Sequence, residues 1–375
     1  MNLDLTEDQE MLKNAVRSFL TDKLPKAKVR EIEESAGGFD KELWREMAEL
    51  GWLGIILPER YGGFGGSLTD LGILLIEAGR NLLPLPLFAT VVLGEMPILK
   101  HGTEGLKERV LTSAAEGNLV LGMAYQEGPY TPAAESDIQA LAREADGGFV
   151  LTGEKLYVLY GQQANLLLIP AKVGEQTSML AVETSSGGVT TEPIPTASIE
   201  RFARVTFREV YVPKKNLLGE VGQGFEILQD TLMHAALFKS AELVGHMEAT
   251  LEMANEYAKT RVVYGRDLAD FQVIQHYLVN MWLMLETSRN VMFMAVSTLP
   301  RNERPPLEPH CAAAWIKEAA KFVTERAIQI HGAIGITREH DAGLYYRQAF
   351  GLDPLFGSSR DHRKIIADML VSGSV

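Results

Sequence analysis

The sequence predicts an α+β protein in three parts: an all-α N-terminal domain (residues 1–118), a small antiparallel β-barrel or sandwich (119–221) and a C-terminal four-helix bundle (222–375). Three observations lead there. Apolar residues recur at helical spacing through the first third. Short apolar runs broken by Gly, Pro, Ser and Asp fill the middle. From Gly224 onward the helical spacing returns over much longer stretches. Strands and helices do not alternate, which argues against a Rossmann domain. At 375 residues the chain exceeds the usual size of one compact core, so two or three packed subdomains are expected.

Each element has its own signals. Thr6-Glu7-Asp8-Gln9 has capping-box spacing, and Met11, Leu12, Ala15, Val16, Phe19 and Leu20 follow at helical period. Asp40 is a natural N-cap for a second helix, Lys41 to Leu50. The turn PERYGGFGGS (Pro58 to Ser67) leads into a third, Leu68 to Asn81. The strand candidates are Leu119 to Tyr125, Phe149 to Leu159, Ala164 to Ala171, Met179 to Glu183 and Ala203 to Val212. Three long helices follow: Phe225 to Arg261, Asp270 to Thr298 and Glu308 to His331. Pro300, Pro305, Pro306 and Pro309 mark one connection, and Gly332-Ala-Ile-Gly335 ends the last of the three.

Bulk properties exclude several classes. The 46% hydrophobic, 23% charged composition is that of an ordinary globular protein. A net charge of −13 argues against nucleic acid or an anionic membrane as partner, since both reward clustered Lys and Arg. A single cysteine, Cys311, allows no internal disulfide and fits a reducing compartment. The acidic start, MNLDLTEDQE, is not a signal peptide, and Leu82 to Gly94 is too short and proline-rich to span a bilayer. A cytoplasmic protein is expected. Metal ligation has no support, because no Cys pair occurs and His310 and His340 lack a matching constellation.

Four ordered segments carry a family resemblance: PERYGGFGGS, LTGEKLYV, YAKTRVVYGRDLADFQVIQHYLVNM (Tyr257 to Met281) and IQIHGAIGITREHDAGLYYRQA (Ile328 to Ala349). The last two resemble the Tyr…Arg…Phe-Gly-Arg…Phe-Gln and Gln…Gly-Gly…Gly…Glu…Arg stretches of the acyl-CoA dehydrogenase superfamily, and the match runs nearly end to end. The resemblance implies FAD bridging two subunits, hence an oligomer, with Arg261, Tyr264, Gln272, Gln329, Gly332 and Gly335 on the cofactor. The chemistry agrees. Arg261 offers a bidentate cation to a pyrophosphate, Gln272 both a donor and an acceptor, and the glycines open backbone amides. The bland alternative is a solvated arginine and a helix-capping turn.

Near the flavin ring, Tyr157 stands where the family has Trp and can still stack, while Leu159 replaces a Thr that bonds the flavin. Glu127, in YQEGPY, aligns with Thr-Glu-Pro, and Ser136-Asp137 with the Gly-Ser-Asp beyond it, at a stretched spacing. Glu127 also reads simply as a turn residue after a strand.

The family's reaction removes an α-proton from an acyl-CoA thioester with a glutamate while the β-hydrogen leaves as hydride to the flavin. Both places for that glutamate are changed. One aligns with Leu355-Phe356-Gly357-Ser358. The other, counted back from Arg261 through Gly245, is Ala235, beside Ala236 where an Arg runs along CoA. Three explanations stay open. Asp353, Asp230, His234 or Glu242 serves as a substitute base, though each also reads as an ordinary surface or capping residue. A homologous sister subunit supplies the glutamate, as in heteromeric dicarboxyl-CoA (pimeloyl-CoA-like) and steroid side-chain dehydrogenases. Or the chain is a non-catalytic flavin- or CoA-binding subunit, with an oxidase chemistry behind that. The Phe356 backbone N–H remains able to polarise a thioester carbonyl. His331 reads as an acid or base, or as a helix-end residue with a structural hydrogen bond. Phe88, Phe238 and Phe356 permit a bulky acyl group. An electron-transfer flavoprotein is the acceptor implied.

Overall fold

The computed structural model describes residues 4–35, 37, 39–132, 134–299 and 306–373. Pro300 and Pro305, expected to mark a connection, lie outside them. The N-terminal helices are α1 (Glu7–Lys23), α2 (Lys26–Glu34), α3 (Lys41–Glu49), α4 (Leu68–Asn81), a π-helical stretch (Ala89–Glu95), α5 (Met96–His101) and α6 (Glu104–Ala115). Strands β1 (Leu121–Met123), β2 (Leu141–Ala145), β3 (Gly148–Leu159), β4 (Leu166–Val173), β5 (Gln176–Glu183), β6 (Val189–Ile194), β7 (Phe202–Pro213) and β8 (Leu217–Leu218) follow. The rest is helical: α7 (Gly224–Thr260), α8 (Gln272–Thr298), α9 (Glu308–His331), α10 (Ala342–Leu352) and α11 (Ser359–Ser372), with a short hairpin of β9 (Val262–Val263) and β10 (Arg266–Asp267) between α7 and α8.

The helix starts follow the local chemistry. Thr6 and Gln9 form both halves of the capping box of α1, and the Asp40 carboxylate accepts from the amides of Glu42 and Leu43. α3 stops one residue before the expected Leu50, whose amide bonds back to Glu46. Within the apolar stretch Leu82 to Gly94, the chain becomes π-helical from Ala89 and runs so to Glu95. The expectation of purely antiparallel strands is corrected. The sheet order is β6-β7-β3-β2-β4-β5-β8, and β1 and β2 each pair parallel with β4. The chain crosses over between β1 and β4 rather than turning back by a hairpin, which makes the sheet mixed.

The sheet divides two cores by strand alternation. Leu166 and Leu168 of β4, with Met179 and Ala181 of β5, point into a core shared by both helical regions. Their neighbours Leu167, Ile169, Leu180 and Val182 point into a separate core inside the β region. The two helical regions therefore bury their apolar faces against each other, with α4 packed along α7. No helix among the described residues is long and apolar enough to cross a membrane.

Candidate active site

α7 presents a buried stripe of Leu232, Ala235, Ala236, Lys239, Leu243 and His246, at the three- and four-residue spacing of one helix face. Ala235 is fully buried, with no carboxylate at its place. The turn after α10 brings Phe356 to the same region. Its ring lies 5.5 Å from Phe88 and 6.1 Å from Tyr125. Phe356 has φ of 58°, a left-handed value that a residue with a Cβ avoids, and Gly357 of 93°, which glycine adopts freely. The buried ammonium of Lys317 holds the turn in that shape, donating to the carbonyls of Asp353 (2.8 Å), Leu355 (2.7 Å) and Gly357 (2.5 Å). Burial draws the Lys317 pKa down to about 7. Tyr125 has the Thr131 side chain and the Phe356 backbone as its hydrogen-bond partners, and burial keeps its phenol protonated far above the ordinary range.

Each substitute base has a polar partner, although Asp353 keeps one oxygen, Oδ1, buried and unpaired. Asp353 pairs with Lys321 at 2.8 Å and Asp230 with Lys100 at 2.9 Å. His234 Nδ1 meets the Asp230 carbonyl at 2.8 Å, a bond within its own helix. Glu242 shares Lys239 with Glu200: the ammonium donates to each at 2.7 Å. Burial pulls the Lys239 ammonium down, yet the two glutamates together hold it above its usual range. The Glu242 carboxyl is pushed up to about 7 by burial, against the pull of Lys239.

The expected flavin residues fall into two groups. Tyr157 sits at a register shift between β3 and β7 with φ of 51°, and the bulge leaves its ring 40% exposed beside the buried Leu159. Glu127 faces inward. Its carboxylate takes the Lys155 ammonium at 2.5 Å and the amides of Gln139 and Ala140. That network ties β3 to the loop before β2, with the second Lys155 proton on the Pro170 carbonyl. Ser136 and Asp137 lie in the same loop, in a 3-10 turn.

The second group stands at the far end of the bundle. Arg261 caps α7 and Gln272 opens α8; both side chains, with that of Gln329, are exposed and without partners among the described residues. Tyr264, at the hairpin tip, is 94% exposed. Gly332 has φ of 66° and open space where a Cβ would stand, whereas Gly335 is buried against His331 and Ile328. Beside this turn a cleft of about 440 Å³ is lined by Ile328, Ile336, Arg338, His340, Tyr346 and Arg347, among others. An unpaired bidentate cation, an exposed amide side chain and an open glycine turn fit the pyrophosphate and adenosine of a dinucleotide. His331 is stacked on Tyr257 and His340 and bonds the Ala327 carbonyl at 2.7 Å. His310 and His362 meet at 3.0 Å, but no cluster that could hold a metal occurs among the described residues.

Comparison with known proteins now decides the family. Residues 6–118 match the acyl-CoA dehydrogenase N-terminal domain and residues 222–371 its C-terminal domain. A probable acyl-CoA dehydrogenase of Bacillus subtilis, YngJ, is 30% identical over 99% of this chain and all of that one. The chain belongs to the acyl-CoA dehydrogenase family. Butyryl-CoA dehydrogenase of Megasphaera elsdenii superposes with a TM-score of 0.92 at 27% identity, covering 99% of this chain and 100% of that one. A steroid ACAD, Tcur3481–Tcur3483, gives 0.89 at 26%, covering 98% of each chain. This family member is a flavoprotein oxidoreductase acting on CH–CH groups, and its cofactor is FAD.

Sequence reasoning missed Lys239, Glu200, Tyr125 and Lys317. The signal for the lysines was present: each is a lone cation on an otherwise apolar helical face, in LFKSAELVG and AAAWIKEAA.

Proposed function

We propose that this chain is the subunit of an acyl-CoA dehydrogenase that binds FAD and shapes the acyl site without contributing the catalytic carboxylate, a homologous sister subunit supplying it. One observation carries the reading: Phe356, at the place of the family's glutamate, is packed between Phe88 and Tyr125, and Ala235, at the alternative place, is walled into the core. The heteromeric naming of the steroid ACAD relative supports the same view.

When bound, FAD supplies the acceptor for the β-hydrogen as hydride. The chain's own residues do the rest. Arg261, Gln272, Gln329 and the turn at Gly332 would hold the pyrophosphate and adenosine, with Tyr264 beside them. Tyr157 would flank the isoalloxazine. The Phe356 turn, fixed by Lys317, would line the thioester end of the acyl site. The aromatic wall would exclude water. Electrons would pass on to an electron-transfer flavoprotein, as the resemblance implies.

The test is kinetic. The chain purified alone should be yellow, change its flavin spectrum with acyl-CoA, and desaturate straight-chain acyl-CoAs about 10²–10⁴-fold below an intact site. Phe356→Glu should raise the rate, since aromatic neighbours would push the new carboxyl toward the pKa of a working base. Rapid turnover by the unmodified homo-oligomer would overturn the reading, and attention would move to Glu242 and Asp353.

A further inference from the structure

The buried ion cluster one turn beyond Ala235 is the feature that the reaction itself leaves unexplained. Lys239 comes from α7, Glu242 follows it on the same helix, and Glu200 reaches in from the loop between β6 and β7. Lys239 shows no exposed side-chain surface, and its partners are almost as deeply buried. Such a cluster is expensive to bury, and well-packed apolar residues in its place would often be neutral or stabilising. A purely structural tie between the two regions would also satisfy all its polar atoms. This one does not. Glu200 Oε2 and His246 Nδ1 are buried without partners, and both residues line a cavity of about 10 Å³ whose remaining wall is largely apolar: Leu82, Leu85, Leu87 and Phe88 among others. That is room for one oxygen-sized atom.

The cluster also lies in line with the acyl site. Ala235 and Lys239 share one face of α7, one turn apart. Phe88 touches both ends: its ring is 5.5 Å from that of Phe356, and the Lys239 ammonium lies 3.9 Å from its centre on the other side of the contact chain. Phe88 thus stands between the Phe356 turn and the Lys239 ammonium that Glu200 holds.

We infer that the Lys239–Glu200–Glu242 cluster recognises a hydroxyl at the far end of the acyl group, so that the substrate is an acyl-CoA with a distal hydrogen-bond donor. The inference rests on the acyl-CoA reading above. The unpaired acceptor points to the class. Of the three ammonium protons of Lys239, two go to the glutamates and the third side faces the Phe88 ring, so the lysine itself has no donor left for a ketone or carboxylate. A distal carboxylate would in addition join two carboxylates around one cation. The free position belongs to a carboxylate oxygen and asks for an O–H. A site built to pair a hydroxyl rejects the analogue lacking it far more strongly than an apolar pocket rejects an extra methylene.

The experiment titrates FAD-loaded protein with CoA thioesters matched in length, bearing a terminal methyl, hydroxyl or carboxylate, over a series of lengths, and reads Kd from the flavin absorbance. At the best length the hydroxyl compound should bind at least about tenfold tighter than the other two. Glu200→Leu should abolish that preference. Glu200→Gln, which keeps the shape and one acceptor oxygen, should retain part of it and serves if the leucine variant does not fold. Equal affinities for the three compounds, or a preference that survives Glu200→Leu, would overturn the inference alone. A flavin indifferent to all three compounds would overturn the acyl-CoA reading and this inference with it.

Discussion

Glu95 ends the π-helical stretch with both carboxylate oxygens buried and unpartnered, and burial alone raises its pKa well above 4.5. The sign of the pH effect follows. Above pH 4.5 the unfolded chain releases this proton while the folded chain keeps it, so stability falls as pH rises, by about 1.4 kcal/mol per unit, until the folded pKa is reached. Glu95→Gln removes the ionisation and keeps the shape. We expect the variant to match the wild type near pH 4.5 and to exceed it increasingly toward pH 8, as measured by urea unfolding at several pH values. Parallel stability curves for the two proteins would show that Glu95 finds a partner. Lys317 is the opposite case: a buried cation whose carbonyl partners are all in place, and whose role is to fix the strained turn at Phe356.

At the scale of the element, α8 is unlike its neighbours. Val279, Trp282 and Leu283 form an exposed apolar stripe at helical spacing, each about half exposed, Trp282 at 52%. Large contiguous apolar surface of this kind marks an interface. Gln272 opens the same helix and Arg261 closes α7 before it, both unpaired among the described residues, as groups meant for a ligand held across two subunits would be. Trp282→Glu should therefore shift the protein by light scattering to the mass of a single chain and reduce its FAD content together. Loss of flavin from an intact oligomer, or monomers that keep full FAD, would separate two properties that the interface reading joins.

Across the whole molecule, a charge network clamps the first helix to the bundle. Arg17 of α1 donates to Glu77 of α4 at 2.7 Å and to Glu248 of α7 at 2.8 Å, and Arg80 and Arg289 also approach Glu248. The hydrogen bond to buried Glu77, against the cost of burial, holds the Arg17 guanidinium above its ordinary pKa. Arg17→Met would leave the Glu77 carboxylate without its cation in the core. The expected loss is about 3 kcal/mol in urea unfolding. An unchanged midpoint would mean that the two helical regions do not depend on this clamp.

The sequence by itself determined the three-part order of elements, most helix limits and the family. These depend on local periodicity, capping residues and motif spacing, all short-range properties of the chain. Lys41, Leu68 and Glu308 were legible as helix starts for that reason, and so was the absence of a carboxylate at Ala235 and Phe356. It did not reveal the parallel pairings of β1 and β2 with β4, because register across a crossover is a long-range choice. Nor did it show that Glu127 turns inward to Lys155, or that Glu200 and Lys239, 39 residues apart, meet behind Phe88. A lone lysine in an apolar stripe announces only that a partner must exist, since an unpaired buried charge is too costly to survive. Which residue answers it is set by the packing of α7 against the loop that follows β6, and only the tertiary structure decides that.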